Sequence, residues 1–312
     1  MRVRFWGTRG TRPTPGVRTI RYGGNTACVE VRTKNNELVI VDAGSGIAEL
    51  GTTLRQEAPL TAHVLITHTH WDHIQGFPYF GPNFLPTTRL TVIGPHGSMK
   101  SLQSAFADQM DPTYFPLRMD EMPAQIEFVE VGPSTAFDIA GLRITTHEMH
   151  HPIATFGYRI EEEGAAFVFA TDNESHLDLA ANLAPAAKQL AWAAHDALVE
   201  WAAGAELLVH DAQYSWPEYQ RHMGWGHSTF DYAVQVAEGA KARQLAFFHH
   251  DPEHSDNEID ALVEQALTAA QERGGVHLLA FGAAENHEIM VAAGVDTAGS
   301  GEAAPEAQAT AH

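Results

Sequence analysis

Four potential metal ligands crowd into six consecutive positions, His68, His70, Asp72 and His73 of the string HTHWDH. Imidazoles and carboxylates packed this closely are too polar to fill a core, and one zinc ion takes only three or four protein ligands. The string follows a β-prone apolar run, HVLI, so the fold must deliver a strand straight into a ligand-bearing turn. Along an extended chain alternate residues face the same side, which lets His68 and His70 reach one ion. Asp72 and His73 fall in the turn beyond and are placed to serve a second. Two ions held about 3.5–4 Å apart are typical of hydrolytic pairs.

The rest of the chain repeats this pattern. The runs ELVIVDAG, HVLITHTH, LRITTHEMHH, AFVFATD, ELLVHD and LAFFHHD are all apolar, and each ends in His or Asp. In α/β sheets ligands bind in the crevice beyond the carboxyl ends of the strands, so these six strands are expected to share one edge. Helical patterns lie between them, over 47–58, 97–110 and 176–202, the last broken or kinked at Pro185. Another opens at Ser228 with Asp231 in capping-box spacing, and DNEIDALVEQALTAAQERGG closes on Gly274. The amino terminus reads as strand, long Gly/Pro/Arg-rich loop, strand. With no linker within 1–290 and no short repeat, the expectation is one α/β domain over 1–293 and a disordered small-residue tail over 294–312.

Charge narrows the ligand. The formal net charge is −20, which repels a long polyanion. Eight of the 19 Lys and Arg nevertheless lie in the first 34 positions. A local basic segment on an acidic body suits a small anion, and Arg9, Arg12 and Arg21 are the candidates to clamp it. Cys28 is the single cysteine, so any metal must sit on His and Asp. No run of about 18 apolar residues could span a membrane, and the first residues lack a signal-peptide stretch. The cytoplasm is the expected location.

Taken in order, the motifs resemble those of the metallo-β-lactamase superfamily. H-x-H-x-D-H at 68–73 looks like its signature. Asp42 in VDAG resembles the aspartate that supports the metal loop, His151 in HHPIATFGYRI the third motif, Asp172 in FATDNE the bridging aspartate, and His249 in LAFFHHD the last histidine. The resemblance implies an αββα sandwich of two mixed β-sheets with outer helices. It also implies one divalent ion on His68, His70 and His151 and another on Asp72, His73 and His249, with Asp172 and a hydroxide between them. Zinc is the expected ion, with manganese or iron as alternatives. His150 and His250 adjoin two of these ligands and are the competing assignments. Asp211 in VHDAQ is expected to support the site without binding metal.

The branch is suggested by GHST, 226–229, which is similar to the histidine motif of the phosphodiesterase branch that includes ribonuclease Z. RYGGNTACVEVR looks like the opening of bacterial class II cyclic nucleotide phosphodiesterases. His227 precedes a predicted helix N-terminus, where backbone N–H groups favour a phosphate, and it could bind a phosphate oxygen or assist the leaving oxygen. Two features depart from ribonuclease Z. Only 21 positions separate His151 from Asp172, too few for its substrate-gripping arm, and Trp71 stands where a smaller residue is usual. The expectation is a dinuclear hydrolase of a small phosphodiester, a cyclic nucleotide or cyclic ribose phosphate, cleaved by a metal-bridging hydroxide with Asp72, Asp172 and His227 as the catalytic groups. The alternatives are a nuclease acting on short RNA or single strands, a thioester hydrolase like glyoxalase II, and a metal-binding sensor without turnover. The resemblance also implies a homodimer.

Overall fold

A computed structural model of the chain describes residues 1–97, 99–180, 184–275 and 278–294. Most of the expected tail, 295–312, lies outside the described residues. The described strands are β1 (Arg2–Gly7), β2 (Cys28–Arg32), β3 (Leu38–Val41), β4 (Thr61–Leu65), β5 (Arg89–Pro95), β6 (Gln125–Val131), β7 (Ala136–Ile139), β8 (Leu142–Glu148), β9 (Phe156–Glu162), β10 (Ala165–Ala170), β11 (Leu207–Asp211), β12 (Gln244–Phe248), β13 (Leu279–Gly282) and β14 (Glu288–Met290). They form two seven-stranded sheets, in the orders β14-β1-β2-β3-β4-β5-β6 and β13-β12-β11-β10-β9-β8-β7.

Each sheet is mixed. The first is antiparallel through β14, β1, β2 and β3 and parallel from β3 to β6. The second is antiparallel from β7 to β10 and parallel from β10 to β13. In β3, β10, β11 and β12 of the parallel regions both faces are buried, so they read as continuous apolar runs. In β3, Val39 and Val41 join the core between the sheets while Leu38 and Ile40 face the outer layer. In β11, Leu207 and Val209 enter the same inter-sheet core and Leu208 packs outward. The period-2 pattern thus divides one strand between two cores.

The outer layers are helical. α1 (Gly46–Leu54), α2 (Trp71–Ile74) and α3 (Leu102–Asp108) belong to the first half, and Ile47, Leu50, Leu102 and Phe106 pack on its sheet. α4 (His176–Ala180), α5 (Pro185–Trp201), α6 (Trp216–His222), α7 (Phe230–Ala240) and α8 (Asp256–Glu272) follow in the second half. Leu198, Val234, Ala237 and Ala266 seal the far face of that sheet. The αββα expectation is therefore met. No described helix is long and apolar enough to cross a membrane.

Local departures have local causes. Pro185 begins α5 instead of kinking a longer helix, as suits a residue without an N–H at the first helical position. α3 starts at Leu102, five residues later than the pattern suggested. The cap of α7 is Thr229, whose side chain accepts from Tyr232 N–H, and not Ser228. Ser228 is drawn inward instead: its N–H donates to Asp211 at 2.8 Å and its hydroxyl to the Asn173 carbonyl. α8 stops at the expected Gly274, φ +79°, and opens with a capping box of Ser255 and Glu258 that is not among the sequence expectations.

Candidate metal centre

All six runs that end in His or Asp do deliver those residues to one edge, where β3, β4, β8, β10, β11 and β12 finish. Asp42, Asp172 and His249 each leave a strand with φ between 53° and 62°, a left-handed turn that Asp and His tolerate better than most side chains. The turn breaks the strand's alternation and swings the side chain over the sheet edge. The two sheets meet here. Phe156 N–H donates to the Thr67 carbonyl at 3.0 Å, and the Tyr158 hydroxyl donates to the Ile66 carbonyl at 2.7 Å. The His68–His73 turn of one sheet is thereby tied to the opposite one.

Seven residues converge. His68 Nε2 lies 3.0 Å from His70 Nδ1, which is 3.1 Å from His151 Nε2. A second group gathers Asp72, His73 and His249, with His249 Nε2 3.2 Å from Asp72 Oδ2 and 3.4 Å from His73 Nε2. Asp172 stands between the groups: Oδ2 is 3.7 Å from His68 Nε2 and 3.5 Å from His249 Nε2, and Oδ1 is 3.3 Å from His73 Nε2.

The surrounding bonds fix which nitrogen each ring presents. His73 Nδ1–H donates to Asp42 Oδ2 at 2.7 Å, and His249 Nδ1–H to Gln213 Oε1 at 2.8 Å. His151 Nδ1–H donates to the Gly226 carbonyl at 3.0 Å. The Thr67 hydroxyl donates to Asp42 and accepts from His68 Nδ1–H at 3.1 Å. Each of these rings spends its outer N–H on a fixed acceptor and turns a bare Nε2 to the centre. The bare Nε2 atoms of His73 and His249, 3.4 Å apart, repel one another unless something positive lies between them. That donor set, nitrogen and carboxylate oxygen without thiolate, fits divalent ions such as zinc, manganese or iron.

The electrostatics agree. Burial holds His68 and His70 below the ordinary histidine range and His151 down to about 4, so these imidazoles are neutral and free to coordinate. Burial would lower His73 as well, but Asp172, Asp72 and Asp42 around it push it well above that range. Three carboxylates that retain a proton there would equally retain a cation. Burial alone would raise Asp72 and Asp172, yet the neighbouring histidines hold both well below the usual carboxylate range.

His227 stands beside the cluster, its ring stacked on His249 with centroids 4.7 Å apart. Its Nδ1–H donates to Asp211 Oδ2 at 2.8 Å. Burial would lower its pKa, but Asp211, then Asp172 and Asp72, raise it to about 9. Asp211 also accepts from Ser228 N–H and Gln213 N–H, which locks the turn carrying His227. Glu174 does the same for the preceding loop, accepting from Gly224 N–H at 2.7 Å and Gly226 N–H at 2.8 Å.

His150 and His250 turn elsewhere. His150 stacks on His176 at 4.2 Å, and His250 Nε2–H donates to the Ala283 carbonyl at 2.9 Å. The expected arginine clamp is not assembled. Arg9 is fully buried and donates to the carbonyls of Gly23, Asp251 and His254. Arg12 pairs with Glu253, and Arg21 with Asp260 and Asn257. The amino-terminal loop reaches the site through its backbone, Thr11 N–H donating to Asp72 Oδ2 at 2.7 Å. Trp71 does not close over the cluster; it is 73% exposed. Gln213, Thr67 and Glu174 were invisible in the sequence, being single polar residues with no spacing to mark them.

Comparison with known proteins matches this arrangement to a family. A family model, the beta-lactamase superfamily domain, matches residues 38–250. Ribonuclease Z of Thermoplasma acidophilum is 24% identical over 304 residues, covering 87% of this chain and 92% of the relative. Among solved structures, the metallo-beta-lactamase fold protein YhfI from Bacillus subtilis superposes with a TM-score of 0.66 at 15% identity, covering 92% of this chain and 98% of the other. Human tRNase Z, short form, gives a TM-score of 0.63 at 19% identity, covering 94% and 100%.

Proposed function

This chain belongs to the beta-lactamase superfamily, and we propose that it is a divalent-metal-dependent hydrolase of a small phosphodiester, a cyclic nucleotide or cyclic ribose phosphate. The observation that carries this reading is the convergence of seven His and Asp ligand atoms beside His227 and Asp211. His68, His70 and His151 would hold one ion, and Asp72, His73 and His249 the other, with Asp172 shared. Zinc is the ion we assign. Such a pair supplies Lewis acidity and an activated water at neutral pH.

The remaining work belongs to this chain's own residues. Asp42 and Thr67 hold the rings of His68 and His73 in one tautomer and one direction. His227, with Nδ1 tied to Asp211, keeps Nε2 to hold a proton for the departing oxygen. Asp211 fixes that ring and balances the charge of its imidazolium, as a buried carboxylate does behind a catalytic histidine. The buried surroundings strengthen each of these interactions.

Substrate size rests on charge and on chain length. The net charge is −20, and the arginines of the amino-terminal loop are already paired with acids or buried under carbonyls. Between His151 and Asp172 there is only the β9–β10 hairpin, turning at Glu163-Gly164. A ribonuclease-like action on short RNA is the second reading, favoured by the likeness to ribonuclease Z.

Hydrolysis of 3′,5′-cyclic AMP, 2′,3′-cyclic AMP and a short RNA, with and without chelator, separates the readings. Chelator-sensitive turnover of a cyclic nucleotide is expected. His227→Ala should keep the metal content and lose about 10²-fold or more in kcat. Turnover of the RNA alone would transfer the protein to the second reading. Undiminished turnover in metal-free protein would end both.

A further inference from the structure

A cavity of about 640 Å³ opens beside the cluster. Thr69, Trp71 and Ile153 form the wall nearest the metal-type ligands: the first two bracket His70 in sequence, and Ile153 stands two positions beyond His151. Met99, Gln109 and Tyr114 line the cavity from the segment around α3. His70, the exposed member of the cluster, lies in sequence between the lining residues Thr69 and Trp71.

Three features define the occupant. The volume lies within the range of small-molecule sites, about 300–1,000 Å³, and exceeds what a phosphate needs. Trp71 and Tyr114 are 73% and 81% exposed, aromatic surface that has no packing role in the fold. Gln109 Nε2 is buried without a hydrogen-bond partner, and a buried donor in that state calls for an acceptor. The charges in the wall, Lys100 and Asp108, pair with each other, which leaves aromatic and amide surface to do the recognising. A flat heteroaromatic ring with carbonyl or ring-nitrogen acceptors satisfies all three features.

We infer that this cavity is the base-recognition subsite: it receives the nucleobase of a nucleotide phosphodiester while the phosphate lies on the His/Asp cluster. Trp71 and Tyr114 stack on the base and Gln109 donates to its edge. This rests on the phosphodiester reading above, which gives the cluster but not the group attached to the phosphate.

The test is competitive inhibition of bis(p-nitrophenyl) phosphate turnover by adenosine 3′- and 5′-monophosphate and by ribose 5-phosphate. These share a sugar phosphate and differ in the base. The better nucleotide should bind at least ~10-fold tighter than the ribose phosphate, as expected for base–aromatic stacking. Tyr114→Ala should collapse that ratio toward one, and Gln109→Leu should reduce it. Trp192→Ala, at an exposed aromatic residue outside the cavity, should leave it unchanged. Tyr114 is so exposed that its loss leaves the core intact. Equal inhibition by all three compounds, or a ratio unmoved by Tyr114→Ala, overturns the subsite and leaves the phosphodiester reading standing. Failure to turn over bis(p-nitrophenyl) phosphate with metal supplied overturns the reading of the cluster, and the subsite with it.

Discussion

Gly10→Ala adds one methyl group whose three nearest atoms all belong to His249. A Cβ at Gly10 would lie 2.3 Å from His249 Cε1 and Nδ1 and 2.9 Å from its Nε2. The Gly10 backbone is not left-handed, so alanine adds no dihedral penalty there. At an open position the same exchange commonly stabilises by about 0.4–1 kcal/mol through the unfolded chain. Here ordinary contact needs about 3.4 Å, so the ring or the loop must give by roughly 1 Å. His249 cannot yield freely, because Gln213 holds Nδ1 at 2.8 Å and Asp72 Oδ2 lies 3.2 Å from Nε2. The loop is pinned too, Gly10 N–H donating to the His250 carbonyl at 3.0 Å and Thr11 N–H to Asp72. Overpacking of this kind costs about 1–3 kcal/mol. Metal–ligand distances tolerate only about 0.2 Å, and a misplacement near 1 Å can cost about 10²-fold in rate. Gly10→Ala should therefore unfold earlier than wild type, bind fewer than two ions per chain by elemental analysis, and lose about 10²-fold in turnover. A variant of raised thermal stability carrying two ions and wild-type turnover would refute the assignment of His249.

Two further perturbations follow from the supports. Asp42→Ala frees His73 Nδ1 and both Thr67 donors, and should weaken metal binding by about 10–100-fold in a competition titration with a chromogenic chelator; unchanged affinity would remove Asp42 from the site. Away from the cluster, burial would raise the Glu218 carboxyl, but hydrogen bonds from His254 and Ser215 hold it at about 2, while Glu218 raises His254 against its own burial. The Glu218 contribution is present above the ordinary carboxyl range and lost as pH falls from about 4.5 toward 2; that of His254 is present below about 6.5 and lost as pH rises through its elevated value. Allowing for the partial exposure of Glu218, Glu218→Gln should cost on the order of 1–2 kcal/mol near pH 5 in urea melts and little near pH 2; an equal loss at both pH values would contradict this.

What the sequence disclosed depended on whether the signal was local. His68, His70, Asp72 and His73 are neighbours in the chain, and each strand carries its terminal His or Asp with it, so their meeting at one edge was legible. The supports were not. Gln213 meets His249 across 36 positions and Thr11 meets Asp72 across 61, with nothing in either neighbourhood to announce the bond. The arginines misled for the same reason: Arg9 bonds the His254 carbonyl and Arg12 pairs with Glu253, each more than 240 positions away, and a positive charge in a loop does not say whether it faces a ligand or its own chain. Ser228 had the spacing of a cap, yet Asp211 offered its N–H a buried carboxylate and Thr229 took the helix end. The cavity beside α3 draws its lining from three separate stretches, Thr69 to Ile74, Met99 to Tyr114 and Ile153, so only the assembled fold exposes it.

The ligands are divided between the sheets. His68, His70, Asp72 and His73 come from the turn after β4, whereas His151, Asp172 and His249 follow β8, β10 and β12. Each proposed ion thus takes donors from both halves of the sandwich and acts as a rivet through the open edge of the inter-sheet core. Chelation would withdraw two rivets at once, so the halves would part from that edge first, and a fragment holding one sheet would lack a complete set for either ion. In this architecture catalytic competence and cohesion of the sandwich are read from the same few atoms.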